Sequence, residues 1–144
     1  MNKVKIILDS EVDFPRYGTE GSSGLDLKAN IDHRVSLKPL QRVLIPSGIR
    51  IELPKGFEAQ IRPRSGNALK KGLGVLNSPA TIDSDFRGEI GIILVNLSNE
   101  IISIEPKDKV AQIVFSKYEK IEWENVSYFT ETERGSKGFG STGN

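Results

Sequence analysis

Short apolar runs, each closed within a few residues by a turn former, fill most of this chain and constrain its fold more than any other feature. Residues 3–8, 25–29, 42–45, 49–53 and 57–62 come first, and 90–96, 101–104, 110–115 and 121–123 follow. Between them stand Pro39, Pro46-Ser47-Gly48, Pro54-Lys55-Gly56, Asn77-Ser78-Pro79, Ser98-Asn99 and Pro106. Each stops a strand or sets a turn. Val and Ile dominate the runs, and both are stiff at χ1 and favour strands. Phe57-Glu58-Ala59-Gln60-Ile61-Arg62 alternates as a half-buried strand does. The run 90–95 is apolar apart from Gly91, as expected for a strand buried on both faces or at a subunit contact. Many short strands at this spacing predict an all-β sandwich or barrel, and 144 residues suit a single domain with a real core. The one helix expected is Ser65–Lys71, about two turns long, with Ser65 as its N-cap. Residues 130–144 are rich in Gly, Ser and Thr, and are expected to stay mobile until something orders them.

Charge and cysteine usage remove several function classes. Twenty Lys and Arg against 19 Asp and Glu leave a net charge of +1, so nothing draws the whole molecule to nucleic acid or to a membrane. Anion binding must come from local arrangement. The absence of Cys excludes disulfides and thiolate metal sites. The lone His33 excludes a histidine metal cluster and argues against a Ser–His nucleophile. The opening MNKVKIILD turns charged too early for a signal peptide, and no apolar run approaches about 18 residues. A soluble cytoplasmic protein is the expectation.

Five short segments hold most of the chemistry: GSSGLDLKA (21–29), RPRSGNALK (62–70), GVLNSPATIDSDFRG (74–88), PKDKVAQI (106–113) and RGSKGFGSTG (134–143). In the first, Asp26 lies between two leucines, so it faces away from them on a strand. It is either a solvated strand carboxylate or a group placed near Mg²⁺. In the second, Pro63 ends a strand, and Ser65 and Gly66 open the helix. A helix start offers free N–H groups, Arg64 a forked cation and Ser65 a hydroxyl, which together suit phosphate. A capped helix with a surface Arg is the plain alternative.

The third segment is the densest. Asp83 and Asp85 flank Ser84, so in extended backbone both carboxylates face one way, and a tight turn would break that. A carboxylate there can orient and deprotonate water. Asn77 can read a base edge that carries a donor and an acceptor. Phe86 can pack on a sugar. The alternative is an acidic hairpin with an Arg87 ion pair. In the fourth segment Asp108 and Lys109 read as a charged turn. Gln112 inside an apolar run either faces outward or holds a loop or ligand. In the fifth, glycines permit close approach to phosphate, Arg134, Ser141 and Thr142 can donate to it, and Phe139 can stack on a base. A disordered tail is the alternative, and the segment is not a Walker A loop.

In order and spacing the five segments resemble the motifs of the trimeric dUTPase family, over nearly the whole chain. That resemblance implies a β jelly roll of the β-clip kind with one short helix, assembled as a homotrimer. Residues 1–129 would form the jelly roll, and 130–144 an arm of one subunit closing over a shared site. It implies Mg²⁺-dependent hydrolysis of dUTP to dUMP and pyrophosphate, which limits uracil in DNA and supplies dUMP for dTMP synthesis. Asp83 matches the carboxylate that orients the attacking water. Asn77 matches the uracil-reading residue of a β-hairpin pocket, and the main chain at Thr81 and Ile82 would read the rest of the base. Phe86 falls where the family packs an aromatic, commonly Tyr, under deoxyribose. Arg64, Ser65, Gly66 and Gln112 fall at phosphate-contacting positions, and Asp26 near the metal. In the arm, Phe139 matches the uracil-stacking aromatic. Arg134, Ser141 and Thr142 match the γ-phosphate clamp, Gly140 is a further substrate-binding position, and Lys137 stands where Gly is common.

The nearest enzyme alternative is the related dCTP deaminase, which carries a catalytic Glu in the strand after the central turn. Ile93 stands at that position and cannot activate water. A non-catalytic nucleotide-binding module on the same scaffold is the other alternative.

Overall fold

The computed structural model describes residues 3–138. Eleven strands and one helix run in the order β1 (Lys5–Leu8), β2 (Gly24–Lys28), β3 (Val35–Leu37), β4 (Arg42–Pro46), β5 (Ile49–Glu52), β6 (Phe57–Arg62), α1 (Ser65–Lys71), β7 (Leu73–Val75), β8 (Ala80–Ile82), β9 (Gly91–Asn96), β10 (Ile102–Ile104) and β11 (Lys109–Lys117). The mostly-β architecture with one short helix matches the sequence reading. Three short strands, β3, β7 and β8, are not among the expected runs; each spans three residues next to turn formers or charges. The expected run 121–123 forms no strand within this chain, and its side chains are exposed.

Four small antiparallel sheets share one core. The largest has the order β2-β11-β6-β8, and a second has β4-β9-β7. The pairs β1-β5 and β10-β3 complete the body. Inward residues alternate with outward ones: Leu25 and Leu27 on β2, Ala59 and Ile61 on β6, and Ala111 and Ile113 on β11 are all buried. Strand β9 lies between β4 and β7, and its residues Ile92, Leu94, Val95 and Asn96 are buried, which accounts for its unbroken apolar run.

The helix spans the residues expected of it, but its start differs. Arg64 occupies the N-cap, Ser65 is the first helical residue, and no side chain caps the turn. Gly72 ends the helix at φ 65°, the left-handed conformation that suits glycine.

Candidate active site

On the outward face of the four-stranded sheet, three segments far apart in sequence meet. Register sets Asp26 on β2 opposite Gln112 on β11, and Gln112 opposite Arg62 on β6, so these side chains share the outward face. The chain leaves β6 at Arg62, turns at Pro63 and enters α1, which brings Arg64, Ser65 and Gly66 over the same face. Together with Gly18, Ser22 and Gly24, the residues Asp26, Arg64, Ser65, Gly66 and Gln112 line a cleft of about 290 Å³. A larger hollow of about 1130 Å³ adjoins it and shares Asp26, but no other expected site residue lines it. The smaller cleft therefore gathers five of the expected site residues.

Each wall of this cleft is tied. Arg64 donates from Nε to Asp26 Oδ1 at 2.7 Å, and Lys109 Nζ meets Asp26 Oδ2 at 2.8 Å. Burial pushes the Asp26 carboxyl up, but hydrogen bonds from Lys109 and Arg64, with their charges, outweigh it and hold the group below its ordinary value. Gln112 donates from Nε2 to the Pro63 carbonyl at 2.9 Å. It thus both faces outward and holds the loop that enters the helix. Gly24 permits this, because a Cβ there would stand 2.2 Å from Gln112 Oε1. Two cations on one carboxylate leave a local excess of positive charge in a near-neutral molecule, as a polyphosphate requires.

No three His, Cys, Asp or Glu side chains gather as a metal cage among the described residues. Asp26 alone offers a carboxylate to the cleft. With both Asp26 oxygens taken by Arg64 and Lys109, a Mg²⁺ here would fit only as an ion that keeps several waters and takes its other oxygens from bound phosphates.

The central segment lies elsewhere. Strand β8 forms the opposite edge of the sheet, with β11 and β6 between it and β2. Three strand spacings put it about 14 Å from Asp26. The hairpin expected around Asn77 is corrected here: β7 pairs with β9 and β8 with β6, so the turn crosses between two sheets instead of joining a pair. Asn77 is exposed in that turn, Thr81 is exposed, and Ile82 is half-buried opposite Ala59. After β8 the chain turns tightly, with Phe86 N–H donating to the Asp83 carbonyl at 3.2 Å, so the extended geometry that would align Asp83 with Asp85 does not hold. Both carboxylates are exposed, and the Phe86 ring lies against Gly88. Arg87 pairs with neither Asp; it donates to the carbonyls of Ser84 and Phe86 at 2.8 and 2.9 Å, which fastens the turn.

Arg134 lies in an exposed turn and donates from Nε to the Lys137 carbonyl at 2.9 Å. Phe139, Gly140, Ser141 and Thr142 lie outside the described residues. Ile93 is half-buried on β9 opposite Leu44. Sequence reasoning passed over Lys109 as part of a charged turn. Its adjacency to the buried strand was the available signal.

The family model described as dUTPase matches residues 10–143. A deoxyuridine 5'-triphosphate nucleotidohydrolase of Fusobacterium nucleatum is 50% identical over 141 residues, covering 98% of this chain and 97% of its own. The enzyme of that name from Finegoldia magna is 52% identical over 141 residues, covering 98% and 99%. Among solved structures, a mutant Staphylococcus bacteriophage 80alpha dUTPase with dUpNHpp superimposes with a TM-score of 0.87 at 25% identity, over the full length of both chains. No helix among the described residues is long and apolar enough to cross a membrane. With a family model spanning nearly all of it and half its residues shared with named relatives, the chain belongs to the dUTPase family.

Proposed function

We propose that this chain hydrolyses dUTP to dUMP and pyrophosphate, and that it does so as a homotrimer built on a jelly roll. One observation carries the reading: the cleft in which Asp26, Arg64, Ser65, Gly66 and Gln112 converge from three separate segments, with two cations on one carboxylate. Arg64 and the Ser65 hydroxyl bind phosphate oxygens there, and Gln112 keeps the loop that carries them in place. Asn77 and the main chain at Thr81 and Ile82 read uracil. Phe86 packs on deoxyribose, and its lack of a hydroxyl leaves that stacking intact. Asp83 orients water for in-line attack on the α-phosphorus and takes up its proton. Mg²⁺ held on the polyphosphate beside Asp26 would offset the charge gathering on the leaving pyrophosphate.

The separation of Asp83 from the Asp26 cleft supports sharing of the site between subunits. Asp26 on β2 and the Asp83 turn after β8 lie at opposite edges of one sheet, so a neighbouring subunit's turn would supply the water-orienting carboxylate beside the cleft. Uncovered apolar side chains support assembly too: Trp123 and Phe129 are 88% and 86% exposed. The arm, residues 130–144, then closes over a site with Arg134, Phe139, Gly140, Ser141 and Thr142.

The test is pyrophosphate release from dUTP, dTTP, dCTP and UTP, each with Mg²⁺ and then with EDTA. Release from dUTP alone, suppressed by EDTA, is the expected result. No release from any of the four would leave a nucleotide-binding module, and ammonia from dCTP would move the chain to the deaminase branch.

A further inference from the structure

Helix α1 carries the cleft's Arg64, Ser65 and Gly66, yet it has no apolar anchor of its own. Its single buried residue is polar: Asn67, 9% exposed, while Leu69 is 87% exposed. The Asn67 amide donates from Nδ2 to the main-chain carbonyl of Lys109 at 2.9 Å. That carbonyl stands where the β11 ladder with β2 is irregular, because the register shifts between Lys109 and Ala111. A bulge of this kind re-aims a side chain and interrupts ladder bonds. Here the re-aimed side chain is Lys109, whose ammonium reaches Asp26.

The contacts close a ring. Asn67 holds the Lys109 backbone, the Lys109 side chain holds Asp26, and Asp26 holds Arg64, which lies three residues before Asn67. Arg64 uses only Nε on Asp26, so its two terminal nitrogens remain available to face the cleft.

We propose that Asn67 and Lys109 are positioning residues of the phosphate cleft. Lys109 fixes the Asp26 carboxylate, Asn67 locks α1 to the bulge, and Arg64 is thereby presented to the polyphosphate in one orientation. The inference rests on the dUTPase reading above, and it predicts that the two residues act on the phosphates and not on the nucleoside.

The experiment compares the full-length chain with Asn67→Ala, Lys109→Met and the double variant. It measures KM and kcat for dUTP, inhibition by dUpNHpp, and inhibition by deoxyuridine, which has no phosphate. Each single change should raise KM and weaken dUpNHpp about tenfold, the scale of one lost charge-assisted or buried hydrogen bond. Deoxyuridine inhibition should not move, and the double variant should be little worse than either single one. Unchanged KM in folded variants, equal weakening of dUpNHpp and deoxyuridine, or fully additive effects would each overturn the proposal. Should Asn67→Ala not fold, Asn67→Asp keeps the size and loses the donor. Should that fail too, the Asn67 side-chain amide resonance of the parent must shift with dUpNHpp and not with deoxyuridine, and a resonance indifferent to both ends the idea. A parent chain inert toward dUTP would end the dUTPase reading instead, so the two failures are distinct.

Discussion

At the scale of single residues, the two proposed carboxylates differ in kind. Asp83 sits exposed on a turn fastened by Arg87, free of ion pairs among the described residues, so its carboxylate is available to a water. Asp83→Asn keeps the shape and removes the base. It should lower kcat by about 100-fold or more while dUpNHpp affinity stays near that of the parent. Isothermal titration beside steady-state kinetics checks this, and undiminished turnover would remove Asp83 from the mechanism. Asp26 is the opposite case, held below its ordinary value of 3.8 by the Lys109 and Arg64 pairs despite the burial that opposes them. A depressed carboxyl stabilises the fold fully above the unfolded value, and that contribution disappears as pH falls through the lower folded one. The thermal stability advantage of the parent over Asp26→Asn should therefore be constant near neutrality and shrink below about pH 4. Melting curves across that range test it, and an advantage that persists in acid would mean the pairs do not set the carboxyl.

At the scale of elements, what could be read in the sequence is what local chemistry decides. The short helix was legible because Pro63 ends the strand before it and Ser65 opens it, although Arg64 and not Ser65 is the N-cap, and β6 and β9 because alternation or an apolar run marks them. Strand β7 was not legible, since Gly72 and Gly74 interrupt its short apolar stretch; neither was its pairing with β9, since register between distant strands depends on the whole fold. The outward face of Asp26 followed from its leucine neighbours, whereas its partners Arg64 and Lys109, 38 and 83 positions away, could not. Likewise the contact of Asn67 with the Lys109 carbonyl joins residues 42 positions apart and carries no local signal. One element-level feature gives a sharp prediction. Gly24 lets β2 pass beneath Gln112, and an added Cβ would overlap the amide oxygen at the flexible end of that side chain. Gly24→Ala should leave the melting temperature within a few degrees while displacing Gln112 from the Pro63 carbonyl. The expected readout is a KM for dUTP raised roughly tenfold, in line with loss of one tethering hydrogen bond. A variant with parental KM would show that the tether does not set the cleft.

At the scale of the whole molecule, Asp26 and strand β8, which leads into the Asp83 turn, occupy opposite edges of one sheet, about 14 Å apart by strand spacing. A closed symmetric assembly solves this by placing one subunit's cleft edge beside another's turn. Such sharing can be tested without any structure of the assembly. Arg64→Ala disables the cleft and Asp83→Asn the turn, so each variant alone should be inactive. When the two are unfolded, mixed in equal amounts and refolded together, a shared site forms wherever an intact cleft meets an intact turn from its neighbour. Random assortment makes that about one site in four, so about a quarter of the parental rate should return. Mixing without refolding should return less, because preformed assemblies exchange subunits slowly. If co-refolding restores nothing although each variant still assembles, cleft and turn must come from the same chain. The 14 Å separation would then have to be closed by movement within one subunit, and the case for shared sites would be lost.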